Sequence, residues 1–292
     1  MKICGIEAGG TKFVLGIGDE NGNIVHKESI PTTTPEETIH LCKEFIIKHL
    51  PDRIGVASFG PINLDQSSES YGYITSTPKP GWANTPLIPE IQKIFKGPIG
   101  FDTDVNGAAL GESLWGKGKD VSSCLYLTIG TGIGGGYVEN SQCLHGLLHP
   151  EMGHILLKKH HEDDFEGVCP YHGDCFEGLA SGPAIEARYQ RKAQDLDQNN
   201  KVWEIEAYYI AQALVNYILI LSPKIILLGG GVMHQKQLFP LIRNFVKEML
   251  NGYIQHPSLL NCDENYISEP GLGDDSGLLG AFALALKSNN PF

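Results

Sequence analysis

The sequence predicts a two-lobed α/β protein, and three observations carry that expectation. Short apolar runs bounded by glycine turns open the chain. The same plan of strand, Gly/Thr turn and returning strand comes again between Thr128 and Val138. Helical stretches follow each of these meanders. A chain of 292 residues is long enough for two lobes of ordinary size, and such an architecture leaves a cleft between lobes as the place for ligands.

Ile3 to Glu7 reads as a short apolar strand. Ala8-Gly9-Gly10-Thr11-Lys12 turns, and Phe13 to Gly18 returns as a second strand. Asn21-Gly22-Asn23 is a strong turn signal leading into a third strand, Ile24 to Ile30. A helix follows at once: Thr34 is its N-cap, Pro35 its first residue and Glu37 its capping-box acid, and Ile39, Cys42, Phe45, Ile46 and Leu50 form the apolar stripe. Arg53 to Ala57 is a buried strand. Gly60-Pro61 and Thr77 to Trp82 are rigid loops, and Leu87 to Phe95 is an amphipathic helix. Pro98 to Phe101 is a strand that runs into an Ala- and Leu-rich helix, Val105 to Leu114, with Thr103 and Asp104 at its N-terminus.

Gly116 to Asp120, small and charged, is the clearest boundary in the chain, and the apolar run Cys124 to Ile129 starts the second lobe. Thr128 to Val138 repeats the first hairpin, which suggests an internal duplication. Val202 to Leu221 is a long helix apolar nearly all round, Ile225 to Leu228 a buried strand, Gly229-Gly230-Gly231 a turn, and Leu238 to Leu250 and Ser276 to Lys287 are helices.

A formal charge of -12, from 34 acids and 22 bases without a Lys/Arg cluster, argues against sequence-independent binding to nucleic acid or anionic membranes. No segment approaches the ~18 consecutive apolar residues of a membrane span, and Met1-Lys2-Ile3 enters a strand with no room for a signal peptide. Seven cysteines, an odd number mostly set singly in apolar segments, suit a reducing compartment. The expectation is a cytoplasmic enzyme with small-molecule partners.

Asp104 carries the chemistry in this reading. A carboxylate at a helix N-terminus is held ionised by the helix dipole and can accept a proton from an alcohol attacking phosphorus, where a loose transition state asks only a modest pKa of the base. The bland alternative for Asp104 is a helix cap. Two Gly-Thr tips, Gly9-Gly10-Thr11 with Lys12 and Gly130-Thr131-Gly132 with Gly134, expose backbone N–H groups suited to phosphate oxygens, and Gly229-Gly230-Gly231 adds a third turn. Each turn alone could be a simple tight turn. A Walker A motif is absent from the sequence.

His149-Pro150-Glu151-Met152-Gly153-His154 is followed by Cys169-Pro170-Tyr171-His172-Gly173-Asp174-Cys175-Phe176-Glu177. Two thiolates and two imidazoles make a closed tetrahedral zinc set, structural in type because no position is left for water. His160 and His161 are rival fourth ligands, and cysteines without a metal are the bland alternative.

Glu7-Ala8-Gly9-Gly10-Thr11-Lys12, the stretch Asp102 to Glu112, Glu151-x-Gly153-His154 and the Cys/His run together resemble the ROK family of sugar kinases and sugar-responsive repressors, from end to end of the chain. Lys79-Pro80-Gly81-Trp82 and the His149 to Glu177 segments are most similar to its bacterial fructokinase branch. The resemblance implies an actin/hexokinase-like fold of two ribonuclease-H-like lobes around a central ligand cleft, with a zinc-braced loop. It divides the chain into residues 1–117, completed by the C-terminal helix 276–292, and residues 118–275. It implies ATP phosphates at Gly9 to Lys12 and Gly130 to Gly134, adenosine near Gly229 to Gly231, magnesium with the nucleotide, and Asp104 as base. It further implies a sugar held by Gly60, Pro61, Thr103, Asp104, Glu151, His154 and Glu177, zinc on His154, Cys169, His172 and Cys175, and a homodimer.

Three positions depart from the family pattern. Glu7 stands where the phosphate motif usually has Asp, and Thr103 replaces the usual Asn beside the base. His172 with its shorter spacing replaces the commoner three-cysteine run. The implied reaction is phosphorylation of fructose at its 6-hydroxyl, with mannose or glucose as alternative acceptors. A sugar-sensing regulator of the same family would share the sugar cleft but needs a DNA-reading helix-turn-helix before the first lobe. This sequence reaches its phosphate hairpin within its first residues, which favours the kinase.

Overall fold

The computed structural model describes residues 1–197 and 201–288. Three antiparallel strands open the chain, β1 (Ile3–Ala8), β2 (Lys12–Gly18) and β3 (Ile24–Pro31), joined at the glycine turns that the sequence marks. Helix α1 (Pro35–His49) then crosses over, so that β4 (Arg53–Ser58) pairs parallel with β1, as a helical connection allows. After α2 (Leu87–Gln92), β5 (Ile99–Thr103) adds parallel to β4 and completes a sheet of order β3-β2-β1-β4-β5. No loop separates β5 from α3 (Asp104–Trp115).

Two expectations need correction. Leu50 does not belong to the stripe of α1: it is the C-cap in a left-handed conformation and is 74% exposed, because the helix ends where the chain turns toward Pro51 and β4. Helix α2 stops at Gln92, short of Phe95, whose ring still packs on the core. The N-cap of α1 follows the sequence reading, Thr34 accepting from the Glu37 N–H at 3.3 Å.

The second sheet has the order β10-β9-β6-β7-β8, from β6 (Ser123–Ile129), β7 (Ile133–Glu139), β8 (Gln142–Cys143), β9 (Ile225–Gly229) and β10 (Ile267–Ser268). Helices α4 (Phe176–Ala180), α5 (Gly182–Tyr189), α6 (Val202–Leu221), α7 (Leu238–Leu250) and α8 (Pro257–Asn261) belong to this half of the chain, and α9 (Ser276–Lys287) closes it. Residues 289–292, expected to extend the last helix, lie outside the described residues. No helix among the described residues is long and apolar enough to cross a membrane.

The chain forms two compact units. One contains residues 1–120, 136–150 and 271 onward, the other 121–135 and 151–270. The sequence reading assigns all of 118–275 to the second lobe, whereas 136–150 cluster with the first 120 residues. Gly136 shows why: a Cβ there would stand 2.2 Å from the Val105 carbonyl oxygen, so only a glycine lets β7 lie against the start of α3.

In the first unit α9 lies on the sheet with its backbone in contact. A Cβ at Gly55 would fall 1.7 Å from the Ala281 carbonyl oxygen, and one at Gly100 2.0 Å from that of Leu284. The opposite face of the sheet is covered by α1, α2 and the fully buried Trp82, whose indole N–H donates to the Thr33 carbonyl at 2.9 Å.

Glu112, wholly buried near the end of α3, joins three segments of this unit. Its carboxylate accepts from the N–H groups of Lys117 (3.0 Å), Gly271 (3.0 Å) and Leu272 (2.8 Å) and from the Ser276 hydroxyl (3.1 Å). Removing the acceptor takes the partner from these four donors, of which Ser276 is buried, and a hydrogen bond to a charged group is worth about 1.5–3 kcal/mol. Glu112→Ala is therefore expected to lower stability by about 3 kcal/mol or more, read as a loss in urea midpoint against the parent. A variant as stable as the parent would mean that water replaces the carboxylate.

Candidate active site

The direct passage from β5 to α3 sends three consecutive side chains to different tasks. Thr103 is the N-cap, and its Oγ accepts from the Asn106 N–H at 3.2 Å. Asp104 is the first helical residue, its carboxylate accepting from the Val105 N–H at 2.9 Å in the positive end of the helix dipole. Asp102 points the other way and is buried. Its Oδ1 accepts from the Thr103 N–H (2.7 Å) and the Asn106 Nδ2 (2.8 Å), and its Oδ2 lies 2.9 Å from the His145 Nε2. That hydrogen bond raises the His145 pKa against the opposing effect of burial. Sequence reasoning missed His145, because it is a lone histidine in a loop more than forty positions away from its partner.

Glu7, the penultimate residue of β1, belongs to the same neighbourhood. Burial and then the charge of Asp104 push its pKa up to about 7, against the pull of Lys12 and Lys27. At the adjoining tip the Gly9 N–H donates to the Lys12 carbonyl at 3.0 Å, and the Thr32 hydroxyl donates to the Gly9 carbonyl at 2.7 Å. Gly10 is exposed with open space where a Cβ would sit, so its backbone is open to a ligand on that side. At the other sequence-marked loop of this unit, a Cβ on Gly60 would meet the His149 ring at 3.5 Å, and the Ile62 N–H, after Pro61, donates to the His149 Nε2 at 3.1 Å.

In the second unit the two remaining glycine turns come together. β6 and β9 are parallel neighbours with Thr128 opposite Gly229, so the turns that follow them emerge side by side. A Cβ on Gly130 would be 3.6 Å from the Gly231 nitrogen, and Gly230 takes a φ of 91° that favours glycine. Thr131 is exposed at the tip, where the Gly130 N–H donates to the Gly132 carbonyl at 2.9 Å. Gly182, the first residue of α5, donates its N–H to the Gly130 carbonyl at 2.7 Å. The sequence reading did not single out this third contributor, although Ser181-Gly182-Pro183 is a legible helix start.

The Cys/His run folds into one cluster. The Nδ1 of His154 lies 3.7 Å from the Sγ of Cys169 and 3.5 Å from that of Cys175, and the His172 Nδ1 lies 3.7 Å from the Cys169 Sγ. All four donor atoms are within 4.8 Å of one another. Tetrahedral zinc with Zn–S of about 2.3 Å and Zn–N of about 2.0 Å requires S···N separations of about 3.6 Å, so the arrangement fits that ion. His160 and His161 stack on each other at 4.4 Å and are not in the cluster, which removes them as rival ligands.

The second nitrogen of His154 faces elsewhere, with Nε2 4.0 Å from the Glu177 Oε1. The Glu177 Oε2 accepts from the Ile133 N–H at 2.8 Å, next to Gly132 in the second glycine tip. Burial, and then the charge of Glu177, push Glu151 up to about 7. Glu151, His154 and Glu177 thus form one polar group between the metal cluster and the tip of β7.

Glycine tips and an acid at a strand-to-helix junction are features suited to phosphoryl transfer. The ROK family model matches residues 3–288, and the chain belongs to the ROK family. A Bacillus subtilis (strain 168) homologue is 52% identical, the match covering 97% of this chain and 95% of that one. The fructokinase of Pediococcus pentosaceus is 45% identical, covering 98% of each. Among solved structures, the ROK hexokinase of Thermus thermophilus superposes with a TM-score of 0.79 at 25% identity, covering 98% of each chain.

Glu7 yields a pH prediction. A carboxyl whose pKa stands near 7 when folded and about 4.5 when unfolded stabilises most below 4.5, and that contribution is lost as pH rises through 7. The ligand-free parent is therefore expected to lose about 2–3 kcal/mol between pH 5 and pH 8 from this group. Glu7→Gln should remove most of that slope in thermal midpoints taken across the range, and an unchanged slope would mean that Glu7 is ionised without penalty.

Proposed function

We propose that the chain is an ATP-dependent fructokinase, transferring the γ-phosphoryl group of ATP to the 6-hydroxyl of fructose. The observation that carries the reading is Asp104 in the first turn of α3, within electrostatic reach of Glu7 and so of the strand that leads into the Gly9 to Lys12 tip. The fructokinase relatives support fructose as the acceptor.

Asp104 acts as general base in this proposal. The sugar O6 attacks the γ-phosphorus, the O6–P bond forms as the bond to the β,γ-bridging oxygen breaks, the proton passes to Asp104, and ADP leaves. The transition state is loose, so the base mainly orients the hydroxyl and takes its proton late. Backbone N–H groups at Gly10, Thr11, Thr131, Gly132 and Gly134, with the Lys12 ammonium, hold phosphate oxygens, while Gly9 and Gly130 shape the two tips, their own N–H groups being taken by the Lys12 and Gly132 carbonyls. Gly229, Gly230 and Gly231 take the adenosine. Magnesium bound with ATP would offset phosphate charge, and Glu7 would be a carboxylate available to its water shell.

Glu151, His154 and Glu177, with Gly60, Pro61 and Thr103, bind the sugar hydroxyls. Thr103 helps to set preference. Its hydroxyl already accepts from Asn106, so it has a single proton to offer, whereas an Asn amide would present donor and acceptor together. His154, Cys169, His172 and Cys175 hold zinc, whose work is to fix the loop carrying Glu177. The homodimer and magnesium rest on the family resemblance, and the cytoplasmic setting rests on the cysteine usage and apolar patterning of the sequence.

Asp104→Asn is expected to fold and bind ATP while turnover drops by roughly 10²–10⁴. Kinetics with fructose, mannose and glucose test it on parent and variant together. Thr103 and not Asp104 caps α3, so near-parental turnover would leave Asp104 only the favourable charge of its carboxylate in the first turn, and glucose outcompeting fructose on the parent would overturn the acceptor.

The metal is tested separately. Chelator-washed protein should retain about one zinc per chain, the complement of a closed four-ligand site. Cys169→Ala should lose both the zinc and thermal stability, and full stability in a metal-free parent would defeat the proposal.

A further inference from the structure

The first unit holds a cavity of about 440 Å³ lined by none of the residues given a role in the proposed reaction. Its walls come from the segment after Gly60-Pro61, from Phe101 of β5 and from the loop 145–149. The volume is in the range of small-molecule pockets. Three features define what it would accept.

The first is its charge. No lysine or arginine lines it, and Asp65, whose carboxylate is held ionised by the Ser67 hydroxyl and N–H, lies in its wall. Anions such as a phosphate are therefore disfavoured. The second is a pair of rings, Tyr71 and Phe101, edge to face with centroids 6.4 Å apart, which offer apolar faces to the C–H side of a sugar ring. The third is a set of groups suited to hydroxyls: the Tyr71 phenol, the Gln66 amide and the His145 imidazole.

His145 is the best fixed of these. Its Nε2 is committed to Asp102, a buried carboxylate that also holds the Thr103 N–H and the Asn106 amide, which leaves Nδ1 as the ring nitrogen for a ligand. A hydrogen bond made by such a fixed group discriminates more sharply than one made by a mobile chain. The same carboxylate connects the cavity to the junction that carries Asp104. At the far end of the loop His149 accepts from the Ile62 N–H, so the loop is tied at both ends to segments flanking the cavity.

We propose that this cavity receives the part of the neutral sugar acceptor remote from the phosphorylated hydroxyl, and that His145, held by Asp102, is a specificity-determining residue there. The inference rests on the sugar-kinase reading and adds to it a recognition site that the family resemblance does not supply.

The test is equilibrium titration of fructose into nucleotide-free parent and His145→Ala, His145→Gln and Tyr71→Phe variants, alongside steady-state kinetics with fructose and glucose. For His145→Ala the fructose Kd and KM are expected to rise about tenfold, the loss of one good hydrogen bond. The KM for ATP should stay within about twofold. His145→Gln should recover part of the affinity, and the kcat/KM preference for fructose over glucose should shrink in His145→Ala. If His145→Ala does not fold, judged by thermal melting, His145→Gln and Tyr71→Phe carry the decision, each expected to weaken fructose measurably. Parental sugar affinity and preference in the folded variants overturn the inference. If the parent prefers another hexose, the fructokinase reading fails by itself. The same titration with that hexose then decides the cavity, which stands if His145→Ala weakens binding and falls if it does not.

Discussion

Everything chemical in the first unit depends on how β5 becomes α3 without a loop. A strand alternates its side chains across the sheet and a helix turns them about its axis, so a strand that enters a helix directly fixes the directions of the residues at the change. Asp102 goes inward to hold the Thr103 N–H, Asn106 and His145, Thr103 caps, and Asp104 takes the first helical position. Had a flexible loop intervened, the buried carboxylate of Asp102 could not hold the helix start and the 145–149 loop at once. Fixing the backbone here holds the Asp104 carboxylate in one position, which the proposed role as base would require before any substrate arrives.

The junction needs a rigid support, and close backbone packing supplies it. Helix α9 comes so near to β4 and β5 that Gly55 and Gly100 can be nothing larger, and Gly280 meets Gly107 of α3 in the same manner, a Cβ there lying 2.3 Å from the Gly107 carbonyl carbon. Such contact leaves the helix little room to slide, since any shift would drive carbonyls into the sheet. Glu112 adds direction to this contact by binding the N–H groups of Gly271 and Leu272 just before α9. Small residues set the distance and one carboxylate sets the register.

Most of the fold was legible because its signals are local. Asn21-Gly22, Thr34-Pro35 and the apolar runs of β1, β4, β6 and β9 depend on a few neighbouring residues, and the structure follows them. The gathering of His154, Cys169, His172 and Cys175 was also legible, since three of the four fall within one short run. Asp102 with His145, Glu112 with Gly271 and Leu272, and Gly130 with Gly182 were not. Each joins residues far apart in sequence, and a lone His, Glu or Gly has no local pattern to reveal its partner. Leu50 failed for a related reason: periodicity marks which face a residue would occupy if the helix continued, but it does not tell where the helix stops.

Within the second unit, the two nitrogens of His154 divide its work. Nδ1 faces the two sulfurs and Nε2 faces Glu177, whose other oxygen holds the Ile133 N–H at the glycine tip. A metal on Nδ1 would fix the ring plane, and the ring plane fixes the direction in which Nε2 presents itself. Such a metal needs no open coordination position to affect chemistry at Glu177 and Glu151, because it acts through the orientation of an imidazole rather than through a bound water. By the same reasoning, His172 in place of a third thiolate would leave that orientation unchanged. Swapping one ligand changes the charge of the metal complex, yet the orientation imposed on His154 depends on its own bond and on the two cysteines beside it, and both remain.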